Sequence, residues 1–121
     1  MTAGGVRVRR VYDQAAIDDG IRILVDRIWP RGMRKDAAAI DVWAKDVAPS
    51  TELRKWYGHV PEKFSQFEAR YREELTTSAP RAALDHPRAL AAKSTVTLLT
   101  ATKDTEHSQA AVLAALLQKT H

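Results

Sequence analysis

The side chains best able to do chemistry in this sequence fall in three short blocks. Asp26-Arg27-Ile28-Trp29-Pro30-Arg31-Gly32 is the first, Lys45 to His59 the second and Thr100 to His107 the third. In the first block, arginine forks suit a phosphate or carboxylate held through paired N–H bonds. Trp29 offers a face for a flat ligand, and Gly32 lets backbone approach closely. Asp26 is a candidate for proton transfer. The same residues also have a plainer reading, in which Asp26 and Arg27 pair within the fold and Trp29 is core.

The second block interleaves basic and aromatic residues, a mixture that can meet phosphates and stack on planar groups. Lys45, Arg54 and His59 are its candidate ligand contacts. Leu53 with Trp56 or Tyr57 has helical spacing for packing, and Ser50 reads as a helix cap before it reads as a nucleophile. In the third block, Lys103 lies beside the free amides of an expected helix start, which attract anions. His107 is the second candidate for proton transfer, since imidazole titrates near neutral pH. The alternative there is that Asp104 or Thr105 only caps the helix and His107 is solvated.

Absences narrow the chemistry. The chain has no cysteine, so a thiol nucleophile and a sulfur-bound zinc are excluded. Four histidines show no metal-ligand spacing, and neither a glycine-rich phosphate loop nor a Gly-x-Ser-x-Gly elbow is present. No metal and no cofactor are expected.

The elements that must position these blocks can be read from periodicity. Val6-Arg7-Val8-Arg9 alternates and runs towards Tyr12 as a half-exposed first strand. Three aspartates and Gly20 make a connection with one helical turn, and Ile21–Val25 is a β-branched, more buried second strand ended by Pro30 and Gly32. Ile40–Ala44 alternates as a short edge strand. Ser50 and Glu52 start a short helix that Gly58 stops, and Pro61 opens a longer one with Phe64, Phe67, Tyr71 and Leu75 on one stripe. Residues 80–92 are helical in tendency, with Pro87 breaking or kinking them. Val96–Ala101 is the best central strand, and a helix from Glu106 to Lys119 closes the chain with Ala110, Leu113, Ala114 and Leu117 on one face. Interleaved strands and helices predict a small α/β domain, a mostly parallel sheet of about four strands with helices packed on it. An all-α arrangement is the alternative.

With 121 residues, the chain has the size of one domain, and 45% hydrophobic against 28% charged residues is a globular balance. Net charge is +4, a mild excess that matters more for where it sits: Arg27, Arg31, Arg34 and Lys35 follow one another with no acid between. No uncharged run approaches the ~20 residues of a membrane span. Residues 1–7 lack the apolar core of a secretory leader, so a cytoplasmic location and no membrane contact are expected.

Taken together, the blocks resemble a known family. Asp19 to Gly32 is similar to the signature of the YeaO-like family, a domain family of unknown function (DUF488). The likeness continues through Trp43–Ser50 and Leu53–His59, then Phe67, Arg70-Tyr71, Glu74-Leu75, Thr97–Leu99 and Lys103–His107. The resemblance implies one small α/β domain over residues 1–121 and no established activity. A related branch carries a cysteine in the loop matching Ala101–Ser108; its absence here argues against a shared thiol mechanism.

Three functions are therefore expected to compete. In the first, Asp26, Arg27, Trp29, Arg31, Lys45, Arg54, His59 and Lys103 line a cleft above the sheet for a small phosphorylated or carboxylated ligand. In the second, Arg7, Arg9, Arg10 and the rings near Trp56 bind nucleic acid. In the third, the motifs serve partner docking. Convergence of the first set on one concavity is what separates them.

Overall fold

The computed structural model describes residues 5–34 and 39–118. Met1–Gly4 of the expected leader-free start, Lys35 of the basic run and Lys119 at the expected end of the last helix lie outside them. Strands β1 (Val6–Arg10), β2 (Ile21–Leu24), β3 (Val42–Trp43) and β4 (Val96–Thr100) form one sheet in the order β1-β4-β2-β3, with every pairing parallel. Parallel pairing is what an α/β chain with crossover connections must adopt. The register sets Val6 and Ile21 on either side of Val96, and Arg10 opposite Thr100.

Alternation along the strands gives the two faces different chemistry. Ile23, Val25, Val96 and Leu98 enter the larger apolar core, where they meet Tyr57, Phe67, Tyr71, Leu113 and Leu117 from the helices. Leu24 and Leu99 point the other way and join Val11 in a smaller cluster that contains no helix residue, packed by Trp29, Met33 and Ile40. All five β4 residues are buried, as the central strand requires.

The second face also holds the arginines of the alternating first strand. Arg9 Nη1 donates to Asp19 Oδ1 at 3.1 Å, Arg22 Nη1 donates to Asp19 Oδ2, and Arg7 Nη1 lies 3.2 Å from Asp18 Oδ2. Thr97 Oγ1 donates to the Asp19 carbonyl at 2.7 Å. Burial raises the Asp19 carboxyl, but the Ala16 N–H and the guanidinium groups of Arg9 and Arg22 outweigh it and bring it down to about 2. Gly20 follows with φ 67°, and a Cβ there would lie 2.1 Å from the Thr95 carbonyl oxygen, so only glycine fits.

Helices α1 (Thr51–Tyr57), α2 (Phe64–Glu74), α3 (Ser78–Ala83), α4 (Asp85–Lys93) and α5 (Gln109–Gln118) supply the rest of the larger core. Ser50 caps α1 as expected, its Oγ accepting from Leu53 N at 3.1 Å, and Gly58 ends it in the left-handed region. Pro61 opens a 3-10 turn (Pro61–Lys63) that leads into α2 rather than α2 itself. The stripe on α2 points inward, with Phe67 and Tyr71 buried and the Tyr71 hydroxyl donating to the Val47 carbonyl.

The break anticipated at Pro87 falls at Leu84, between α3 and α4. Pro87 lacks the N–H that would bind the carbonyl of Ala83, so the chain breaks before it, and Pro87 sits in the first turn of α4, where no donor is needed. The last helix also starts later than expected. Asp104 accepts from the His107 ring instead of capping amides, residues Thr105–His107 make a 3-10 turn, and Ser108 is extended before α5 begins at Gln109. Ala110, Leu113 and Leu117 are buried on the face foreseen for them. No helix among the described residues is long and apolar enough to cross a membrane.

Candidate functional site

Beyond the carboxyl ends of β2 and β4 lies a cavity of about 510 Å3, the place where open parallel sheets bind ligands. Three segments wall it. The first is residues 26–31 after β2, the second is Pro49, Arg54, Tyr57 and His59 on and around α1, and the third is Ala101, Thr102, Ser108 and Gln109 between β4 and α5. Tyr12 after β1 and Phe67 of α2 complete it.

Asp26 ties the first wall to the third. The β2–β4 ladder runs on through Val25 N to the Leu99 carbonyl at 3.1 Å, which delivers the next side chain to the end of β4. There Asp26 Oδ1 accepts from Thr100 Oγ1 at 2.8 Å and from Gln109 Nε2, while Oδ2 accepts from Ala101 N at 2.8 Å. Burial pushes the carboxyl above the usual range, against the pull of these donors and of the Arg54 charge. Its carbonyl oxygen accepts from Trp43 Nε1 at 2.8 Å, and Trp43 meets Trp29 edge-on at 5.3 Å between centroids. Trp29 Nε1 donates to the Met33 carbonyl at 2.7 Å, closing the turn in which Gly32 has φ 76°. Trp29 thus serves both readings made from the sequence: it packs on the smaller core and it lines the cavity.

The arginines differ in how far they are committed. Arg27 Nη2 donates to the Ala48 carbonyl at 3.1 Å, and its Nε is buried without a partner. Arg54 projects from α1, whose inner face is held by buried Leu53 and Tyr57 and whose start is anchored by Glu74: Ser50 N donates to Oε1 at 2.9 Å and Ser50 Oγ to Oε2 at 2.6 Å. The Arg54 Nε is likewise buried and unpartnered, and the guanidinium takes no hydrogen bond or ion pair within the described residues. Arg31 is exposed at the rim, where its carbonyl accepts from Tyr12 Oη at 3.2 Å. His59 has φ 59°, a left-handed conformation that costs a non-glycine residue energy and fixes the chain as it leaves α1.

Asp26, Arg27, Trp29, Arg31, Arg54 and His59 therefore share one concavity. Lys103 does not line it but borders a neighbouring hollow, which shares His59, Ala101 and Thr102 with the first. Lys45 lies outside both, its Nζ 5.3 Å from the Trp43 ring centroid. The turn Lys45–Val47 buries Val47 and so sends Lys45 outward. His107 is absent from the lining as well. Its Nδ1 is 2.8 Å from Asp104 Oδ2, its ring stands edge-on to Phe64 at 5.3 Å, and its carbonyl accepts from Tyr57 Oη at 2.6 Å.

Tyr12, Ile28, Thr100 and Gln109 were not singled out from the sequence. A usable signal exists for Thr100: a carboxylate that follows a buried strand must find donors, and in a parallel sheet those stand at the end of the neighbouring strand. No group of three His, Asp or Glu residues able to hold a metal occurs among the described residues.

The matching family model spans residues 5–121 and carries the description of an inactive DUF488-N3 subclade. The chain belongs to that DUF488 subclade. Among its relatives, an uncharacterised protein of Mycobacterium tuberculosis is 56% identical over 112 residues, covering 93% of this chain and 92% of its own. The uncharacterised protein YeaO of Escherichia coli K12 is 42% identical over 110 residues, 90% of this chain and 93% of its own. No solved structure matches. The DUF488 membership agrees with the resemblance carried by Asp19–Gly32 and the blocks that follow it.

Proposed function

We propose that the cavity beyond β2 and β4 binds a small organic anion, a phosphate or carboxylate ligand, and holds it without turning it over. The observation that carries this reading is Arg54: a guanidinium with a buried, unpartnered Nε, facing the same hollow as Arg27 and His59. The Arg54 guanidinium takes no hydrogen bond or ion pair within the described residues, and an anion between the walls would give it one.

Two things favour binding over catalysis. The description of the subclade as inactive is one. The other is the condition of the two candidate proton carriers: both Asp26 oxygens are occupied by donors, and His107 faces Asp104 outside the lining. Nucleic-acid binding has less support, because Arg7 and Arg9 are spent on Asp18 and Asp19.

Thermal unfolding against a panel of sugar phosphates, nucleotides and small carboxylates tests the proposal. A ligand present at 100 times its dissociation constant stabilises the native state by about 2.7 kcal/mol. At least one anion should raise the transition of the wild-type protein in a dose-dependent way and leave that of Arg54→Gln unmoved. A panel that moves neither protein counts against it.

A further inference from the structure

We infer that the anion is the carboxylate of a flat, largely apolar acid rather than a phosphate ester; this rests on the anion-binding reading and narrows it. Phosphate sites at a strand–loop–helix junction gather several free backbone N–H groups. Here the donors at the end of β4 are already used. Ala101 N and Thr100 Oγ1 donate to Asp26, Thr102 N donates to Thr100 Oγ1 at 3.2 Å, and Gln109 Nε2 donates to Asp26. The Asp26 carboxylate occupies the position a bound oxyanion would take at the end of β4.

Arg27 and Arg54 bring guanidinium groups to the lining, and a guanidinium fork matches a planar carboxylate with two parallel N–H bonds. The charge count points the same way. Arg27 and Arg54 line the cavity beside one carboxyl group, Asp26, a small cationic excess that suits a monoanion better than a phosphate dianion. Arg31, at the exposed rim, is screened by solvent.

The rest of the lining suits an apolar body. Tyr12 and Ile28 are 44% and 65% exposed at the mouth, apolar surface that a ligand would cover. Trp29 and Pro30 continue that wall inward. A volume of about 510 Å3 has room for one or two fused rings.

Calorimetric titration with ligands of one body and three heads tests the inference: 3-phenylpropionate, 2-phenylethyl phosphate and 3-phenylpropanamide, with indole-3-acetate as a two-ring acid. At least one of the two acids should bind about tenfold tighter than both the phosphate and the amide, as a matched charged fork implies. Arg54→Lys, which keeps the charge and loses the fork, should weaken that acid roughly tenfold. Tyr12→Ala, at the exposed mouth, should weaken it severalfold with the Arg27 and Arg54 guanidinium groups still present. A phosphate ester that equals or beats the acids overturns the inference and leaves the anion reading standing. An amide that binds as well as the acids overturns both. Failure of both acids overturns the inference, and the anion reading is then decided by the phosphates of the thermal panel.

Discussion

The carboxylate of Asp26 accepts the backbone N–H of Ala101 at 2.8 Å, joining residues 75 apart in the chain. This bond fastens the loop after β2 to the loop after β4 and fixes the distance between two walls of the cavity. Asp26→Ala would leave Ala101 N, Thr100 Oγ1 and the Gln109 amide without their acceptor. Buried donors stripped in this way cost about 1–3 kcal/mol each, less where water enters. Urea unfolding of Asp26→Ala should show a loss of about 2–4 kcal/mol, in the range of a broken buried network; a loss below about 0.5 kcal/mol, the level of an ordinary surface change, would show that the bond is dispensable.

Asp26 also gives a pH signature. Its carboxyl is raised in the folded state, chiefly by burial. Between the ordinary carboxylate range and the raised value, the folded protein binds more proton than the unfolded chain, so stability falls as pH rises through that window. Asp26→Asn removes this segment of the curve. Comparing unfolding free energy with pH for the two proteins checks it, and parallel curves would rule it out.

Asp19 has the opposite sign. With its folded value brought down to about 2, it contributes stability that is fully present above the ordinary carboxylate value of 3.8 and is lost as pH falls through 2. Asp19→Asn should therefore flatten the acid limb of the stability curve. It should also destabilise the protein at neutral pH by about 3–5 kcal/mol, because Arg22, 4% exposed, would be left charged without its partner.

Gly20→Ala should be among the most damaging single-methyl changes. The added Cβ meets the Thr95 carbonyl at 2.1 Å in a backbone with positive φ, so the start of β2 must shift. A loss of more than about 2 kcal/mol is expected, as for strain at a special backbone position. Gly32→Ala offers the control: it shares the positive φ but meets no atom within 4 Å, and should cost less.

Much of this architecture was legible in local pattern. Val6-Arg7-Val8-Arg9 alternates because one face of β1 packs on the core and the other meets Asp18 and Asp19. The uncharged stretch from Val96 to Thr100 is central because both its faces are covered. Ser50, Gly58 and the Phe64–Leu75 stripe announce α1 and α2 through capping and periodicity. What local pattern could not fix was direction. Lys45 lies in the same block as Arg54, yet a 3-10 turn that buries Val47 turns it outward. His107 stands only two residues from Gln109, but the extended Ser108 between them sends Gln109 to Asp26 and leaves His107 with Asp104. Gln109 itself carries no chemical signature, and only the parallel pairing of β2 and β4 brings it to the site.

The central claim is that Arg54 is the cation an anionic ligand meets, and its Nε–H resonance tests this most directly. In the free protein that proton has no acceptor within the described residues. Proton–nitrogen correlation spectra should show the Arg54 Nε–H moving downfield and slowing its exchange with water when the best-stabilising anion of the thermal panel is added, with smaller changes at Arg27. An anion that stabilises the protein while the Arg54 signal stays where it was would contradict the account.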